Sequence, residues 1–122
     1  MFKSTRLYIK LRHDTVEITN LETGQTVTQQ ATLPFSSAGQ VVGNFQHVEK
    51  AIAAVLRELG TTRSFWRSLK VLVQQQEGSE GGLSDIEKRA LRDLGELTGA
   101  RKVYLVEDER PLSVAEALSC FG

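Results

Sequence analysis

The sequence has almost no cysteine, the residue whose disulfides stabilise many small secreted proteins, and it has no excess of charge of either sign. Its single cysteine, Cys120, cannot form an intramolecular disulfide, which fits a reducing compartment. Lysine plus arginine and aspartate plus glutamate number 15 each, so no net charge favours nucleic acid or an acidic membrane. No apolar run approaches the roughly 20 residues of a membrane span, and no signal-like segment opens the chain. We therefore expect a cytoplasmic protein without a transmembrane segment that does not bind nucleic acid.

What the sequence contains is typical of one globular domain covering residues 1–122. The chain is 40% hydrophobic and 25% charged, which are ordinary values for a soluble domain. A domain of this size buries roughly two thirds of its extended-chain surface, so a packed core can form without disulfides or metals.

Alternating residues predict three strands in the first third of the chain. The first strand has an apolar row on one face, at Leu7, Ile9 and Leu11. A turn at His13-Asp14 precedes a second strand, and the third strand is predicted over Thr26–Ala31. Short strands joined by tight turns favour an antiparallel meander. The segment 33–43 is rich in serine and glycine and is predicted to be a loop.

The second part of the chain alternates helices with apolar strands. Apolar spacing predicts a helix from the N-cap Asn44 to Gly60, followed by a strand over Lys70–Gln75. The clearest helix is Ser84–Gly99, because Ser84 and Glu87 have capping-box spacing. We predict that its buried face consists of Ile86, Ala90, Leu94 and Leu97. A strand at 103–106 and a short helix capped by Ser113 and Glu116 complete the pattern.

The resulting element order, β-β-β-α-β-α-β-α, predicts an α/β fold. A meander joined to parallel strands by helical crossovers gives a mixed five-stranded sheet with helices on its faces. Ribonuclease-H-like nucleases and the subdomains of actin-like ATPases share this order. Fold alone does not carry function, so the function has to be sought in particular residues.

Two adjoining segments, Gly82–Asp93 and Gly99–Asp108, resemble the MreB-type bacterial actin homologues, which are rod shape-determining proteins. The segments 44–59 and 71–73 resemble the helix and strand that precede them in that family. The resemblance covers only the first subdomain of the family's first lobe. It implies an actin-like domain, while the family's second phosphate loop and adenine-binding lobe have no counterpart in this sequence.

The family's first phosphate loop differs here in two residues that its chemistry needs. Lys10 stands where the resemblance implies a Mg²⁺-organising carboxylate, and Arg12 stands where it implies a glycine. Lys10 and Arg12 are candidate phosphate-binding residues, which leaves a residual nucleotide- or phosphate-binding protein as an alternative function. We expect no bound cofactor and no ATPase activity.

Glu87 matches the glutamate that the family places near the nucleotide to position the attacking water. It is therefore a vestigial catalytic candidate. The alternative is that Glu87 only closes the capping box with Ser84, which requires no catalysis.

A divergent ribonuclease-H-like metal-dependent nuclease is a further alternative. It would use Asp14 together with Glu107 and Asp108, which follow a predicted strand. Glu107, Asp108 and Glu109 could equally form a solvated acidic turn. His13 and His47 have no cysteine or histidine partner at ligand spacing, so we predict no metal site.

The remaining candidates suggest contact with another protein. Phe65 and Trp66 could form an exposed aromatic patch or could cap the core, and Lys88, Arg89 and Arg92 lie on the polar side of the Ser84–Gly99 helix. The leading hypothesis is a non-catalytic, actin-like interaction module linked to the bacterial cytoskeleton or cell shape. Its expected partner is a full-length bacterial actin or a second copy in a homodimer.

Overall fold

The computed structural model describes residues 3–37, 40–60, 67–79 and 81–122. Five strands and three helices follow the predicted order. The strands are β1 (Lys3–Arg12), β2 (Thr15–Asn20), β3 (Thr26–Gln30), β4 (Arg67–Gln75) and β5 (Lys102–Val106). The helices are α1 (Phe45–Leu59), α2 (Asp85–Leu97) and α3 (Val114–Ser119).

The strands form one mixed sheet in the order β3-β2-β1-β4-β5. The β1–β2 and β2–β3 pairs are antiparallel, and the β1–β4 and β4–β5 pairs are parallel. The α/β class, the element order and the mixed five-stranded sheet predicted from the sequence are thus confirmed. Strand β4 begins three residues before its predicted start at Lys70, because Arg67–Leu69 continue the parallel pairing with β1.

Strand β1 lies at the centre of the sheet and is buried on both faces. The predicted row of Leu7, Ile9 and Leu11 is fully buried, which confirms the apolar face. The alternate residues Tyr8 and Lys10 are also buried, at 2% and 9% exposure. We call the side that carries Leu7 the first face and the side that carries Tyr8 the second face.

Helices α1 and α2 cover the first face. Val48, Ile52 and Val55 of α1 and Leu91 and Leu94 of α2 pack on the apolar side chains of β1, β2 and β4. The predicted α1 caps are confirmed. Asn44 accepts a hydrogen bond from the His47 amide, and Gly60 adopts φ of 72°, which a side chain would disfavour.

The predicted buried face of α2 is wrong in two of its four residues. Ile86 is 83% exposed and Leu97 is 53% exposed, whereas Leu94 is buried and Ala90 half-buried. The buried side instead contains Leu91 and Gly95. Gly95 meets β5 closely, since a Cβ added there would lie 2.6 Å from Val103 Cγ1. This close approach rotates the helix so that the small residue, and not Ile86, faces the sheet.

Helix α3 and the segment before it cover part of the second face. Ala117 packs with Tyr8, Leu72 and Val106, and Tyr104 contacts Phe121 edge-to-face with ring centroids 5.3 Å apart. Among the helices described, none is both long and apolar enough to cross a membrane.

Candidate functional site

The carboxyl ends of the parallel strands β1, β4 and β5 lie at one edge of the sheet. Ligands commonly bind at this edge in open α/β sheets. The residues predicted for phosphate binding, for the nuclease alternative and for vestigial catalysis come from the strand ends and connections here. We call this region the carboxyl edge.

The two predicted phosphate-binding cations share one carboxylate on the second face. Lys10 Nζ lies 2.7 Å from Glu17 Oε2 and donates a hydrogen bond to Thr19 Oγ1 at 2.8 Å. Arg12 Nη2 lies 3.3 Å from Glu17 Oε1, while its Nη1 donates to Gln76 Oε1 at 2.8 Å. Because Glu17 contacts both cations, this group of three carries one net positive charge.

Glu17 is strongly favoured in its ionised form. Partial burial would raise the pKa of Glu17, but hydrogen bonds from Lys10, Thr28 and Arg12 and the charge of Lys10 outweigh that effect. Together they lower its pKa from 4.5 to about 2. A phosphate approaching Lys10 would therefore compete with a carboxylate that is already in place.

Gln74, at the end of β4, connects β1 to the segment that follows β5. Its side chain is fully buried, and Nε2 donates to the carbonyl oxygens of Asp108 at 3.0 Å and Arg110 at 2.8 Å. Its Oε1 accepts hydrogen bonds from Gln76 Nε2 at 2.9 Å and from the Tyr8 hydroxyl. Every polar atom of this buried amide therefore has a partner, as burial requires.

Tyr8 completes the network from β1. Burial raises the pKa of Tyr8, and its hydroxyl accepts a hydrogen bond from the Leu112 amide at 3.3 Å. Lys10 Nζ lies 4.6 Å from the centre of the Tyr8 ring, within cation–π range. The chain's own side chains thus fill the second face at the carboxyl edge.

The acidic residues after β5 have separate partners. Glu107 Oε1 lies 2.8 Å from Lys88 Nζ, and Asp108 Oδ1 accepts from the Arg110 amide at 3.0 Å. Glu109 Oε2 accepts from the amide and hydroxyl of Ser79, at 2.7 and 2.9 Å. Within residues 3–37, 40–60, 67–79 and 81–122, no three Asp, Glu, His or Cys residues are grouped to hold a metal ion.

Asp14, the remaining nuclease candidate, anchors a loop. Its Oδ1 accepts hydrogen bonds from the amides of Phe35 at 2.9 Å and Ser36 at 2.7 Å. These bonds, of which the Ser36 amide gives the largest effect, lower the pKa of Asp14. Asp14 adopts φ of 48°, a left-handed conformation that aspartate tolerates in turns. Its carboxylate therefore connects the β1–β2 turn to the loop before α1.

Glu87 closes a complete capping box at the start of α2. Glu87 Oε1 accepts from the Ser84 amide at 2.9 Å, and Ser84 Oγ accepts from the Glu87 amide at 3.1 Å. The bond from the Ser84 amide is the main cause that lowers the pKa of Glu87, and Gln75 at the end of β4 also contributes. The capping interpretation of Glu87 agrees with this geometry, and its catalytic role stays a hypothesis.

The predicted interaction residues fall into three groups. Lys88 pairs with Glu107, while Arg89 and Arg92 are exposed on α2. Phe65 and Trp66 lie outside the described residues.

Sequence reasoning missed two features of the carboxyl edge. It did not identify Gln74 as a buried bridge, although three successive glutamines at the end of an apolar strand are an unusual signal. It also did not connect Glu17 with Lys10. Their antiparallel register, with Lys10 opposite Glu17, becomes visible only when β1 and β2 are aligned.

Comparison with known proteins relates the chain to a bacterial protein over most of the length of both. No known protein-family model matches the chain. The chain is 31% identical over 94 residues to the protein named "Uncharacterized protein YjaA" of Escherichia coli (strain K12). The alignment covers 72% of this chain and 72% of that protein. On that extent and identity, the chain belongs to the same family as YjaA.

Proposed function

We propose that this domain is a non-catalytic, actin-like interaction module that binds protein through the outer side of α2. The resemblance of Gly82–Asp93 and Gly99–Asp108 to MreB-type proteins supports the family part of this proposal. In that family the helix equivalent to α2 lies near contacts between protofilaments. The proposed partner is accordingly a filament of a full-length bacterial actin, which would connect this domain to cell shape.

The observation that carries the proposal is the exposure of large apolar residues on a well-formed helix. Ile86 is 83% and Leu97 is 53% exposed, and the half-buried Ala90 lies on the same side between them. We call Ile86, Ala90 and Leu97 the α2 stripe. Exposed apolar side chains that are held together favour association, because contact with a partner removes them from water.

The rest of α2 holds this stripe in a fixed position. Leu91 and Leu94 are each 1% exposed against the sheet, and the capping box of Ser84 and Glu87 fixes the first turn. The exposed Arg89 lies beside the stripe, and the exposed Asp93 lies on the same side of the helix between Ala90 and Leu97. Protein interfaces commonly combine apolar side chains with polar and charged ones.

The carboxyl edge supports the non-catalytic part of the proposal. A Mg²⁺-nucleotide site of the resembled family would need a carboxylate where Lys10 forms its ion pair with Glu17. Gln74 and Tyr8, at the same end of the sheet, are buried and hydrogen-bonded to each other. We expect calorimetric titration with ATP and Mg²⁺ to give no binding heat, and micromolar affinity would contradict this part of the proposal.

The direct test is cosedimentation with purified MreB-type filaments. We expect the wild-type domain to pellet with filaments, and Ile86→Glu to remain in the supernatant because it places a charge in the stripe. Val114→Glu is the matched control, since Val114 is an exposed apolar residue on α3, at 45% exposure. Equal pelleting of all three proteins, or no pelleting of the wild type, would contradict the proposal.

A further inference from the structure

Strand β3 is an edge of the sheet, and within the described ranges 3–37, 40–60, 67–79 and 81–122 no strand pairs with its outer side. Two hydrogen bonds beside it, from Ala31 N to Asp14 O and from Asn20 N to Gln25 O, fix the alternation of the β2–β3 ladder. Because hydrogen-bonded and non-hydrogen-bonded pairs alternate along the ladder, the backbone groups of Val27 and Gln29 bond to β2. The N–H and C=O groups of Thr26, Thr28 and Gln30 consequently point away from the sheet.

This edge lacks the usual protection against pairing with another strand. Edge strands are commonly protected by lysine, proline or a bulge. The sequence of β3 is Thr-Val-Thr-Gln-Gln, and its register with β2 is continuous. The opposite edge strand, β5, begins with Lys102. Of the two described edge strands, β3 is therefore the less protected against pairing with a further antiparallel strand.

A groove runs between this edge and α1, with a volume of about 240 Å³. Its α1 wall includes the small residues Ala51 and Ala54, and its other wall includes Leu33, which is 44% exposed. Lys50 lines the groove towards the start of α1, and Glu58 lies two turns further along the helix. We call this the β3–α1 groove.

The distance between helix α1 and the β3 edge suits pairing with a second copy of the chain. Helix α1 packs over both β2 and β3. If two β3 strands pair, the twofold axis runs midway between them. The axis of α1 then lies one strand spacing, ~4.8 Å, from this twofold axis. The two copies of α1 would then lie about 9.6 Å apart, which is within the usual spacing of packed helices. The alanines of the groove permit that approach.

The charges of α1 are self-complementary in this arrangement. Gln29 Nε2 donates to Glu58 Oε2, and helical side chains lean towards the N-terminus. Gln29 therefore lies beside Ala54 along the length of α1. A twofold axis beside Gln29 passes close to Ala54 and brings Lys50 of each copy opposite Glu58 of the other.

We propose that the chain forms a twofold homodimer in which the two β3 strands pair antiparallel and the two α1 helices meet at Ala54. Thr28 of each copy pairs with Gln30 of the other, which extends the two sheets into one of ten strands. This surface is separate from the α2 stripe. The homodimer therefore stands or fails independently of the proposed function.

Sedimentation velocity over a series of protein concentrations tests the dimer. We expect a monomer–dimer equilibrium for the wild type and a monomer for Ala54→Arg, which places two bulky cations at the axis. Lys50→Glu and Glu58→Lys should each weaken dimerisation about tenfold, because each turns two attractive pairs into repulsive ones. Glu49→Lys, on the same helix but outside the groove, is the control and should dimerise like the wild type.

Mixing the two charge variants gives the decisive measurement. In a heterodimer of Lys50→Glu with Glu58→Lys, each glutamate faces a lysine again, so we expect the affinity to return to that of the wild type. Circular dichroism of each variant verifies its fold. A wild type that stays monomeric, a dimer that is unchanged by Ala54→Arg, or a mixture that fails to recover would overturn the proposal.

Discussion

The two faces of the central strand β1 are buried by different means. On the first face, Leu7, Ile9 and Leu11 pack against apolar residues from α1 and α2. On the second face, Tyr8 and Lys10 are buried among hydrogen bonds and an ion pair. We expect the first face to supply most of the stability, because burial of apolar side chains is the dominant favourable contribution to folding. The second face mainly fixes the positions of the connections at the carboxyl edge.

The largest expected effect comes from a cavity in the first face. Ile9→Ala should lower the free energy of unfolding by about 2–5 kcal/mol, since Ile9 is fully buried and its neighbours can only partly fill the space. Urea unfolding followed by circular dichroism measures this loss. A loss below that of any second-face variant would contradict the division between the faces.

A smaller effect is expected from the buried amide of the second face. Gln74→Leu leaves the carbonyl oxygens of Asp108 and Arg110 without their donor. We expect a loss of about 1–3 kcal/mol in the free energy of unfolding. Hydrogen exchange should increase at the Leu112 amide, which contacts Tyr8, while the amides of α1 keep their protection. Uniform acceleration throughout the chain would argue against a local positioning role.

The ion pair of the second face should make the free energy of unfolding depend on pH in the acid range. The folded pKa of Glu17 is about 2 and its ordinary value is 4.5, so its contribution is present above pH 4.5. It is lost as the pH falls from about 4.5 to 2. We expect about 1–2 kcal/mol at neutral pH, after allowance for the partial exposure of Glu17. The stability difference between wild type and Glu17→Gln should therefore shrink over this range, and a constant difference would contradict it.

The smallest effect is expected on the exposed side of α2. Ile86→Lys should change the free energy of unfolding by less than about 0.5 kcal/mol, because Ile86 is 83% exposed. Leu91→Ala on the buried side is the contrasting variant and should cost about 2–5 kcal/mol. Thermal unfolding of the two proteins measures both values. A large loss for Ile86→Lys would mean that this side chain supports the fold.

Local sequence predicted the elements well where the signal lies within a few residues. The capping boxes at Ser84 and Ser113 and the left-handed Gly60 are set by neighbours along the chain, and all three are present. The carboxyl edge was less predictable. The roles of Gln74 and Glu17 depend on residues that are distant in sequence and are brought together by strand register.

The sequence by itself determined the order of strands and helices, because periodicity and capping act over one or two turns of chain. Only the tertiary structure decided which side of helix α2 is buried. The Ser84–Gly99 prediction placed Ile86 inside. Close contact between Gly95 and Val103 instead directs Leu91 to the sheet beside Leu94, and Ile86 to solvent. A helical pattern offers several adjacent apolar stripes, and the shape of the surface it packs against selects among them.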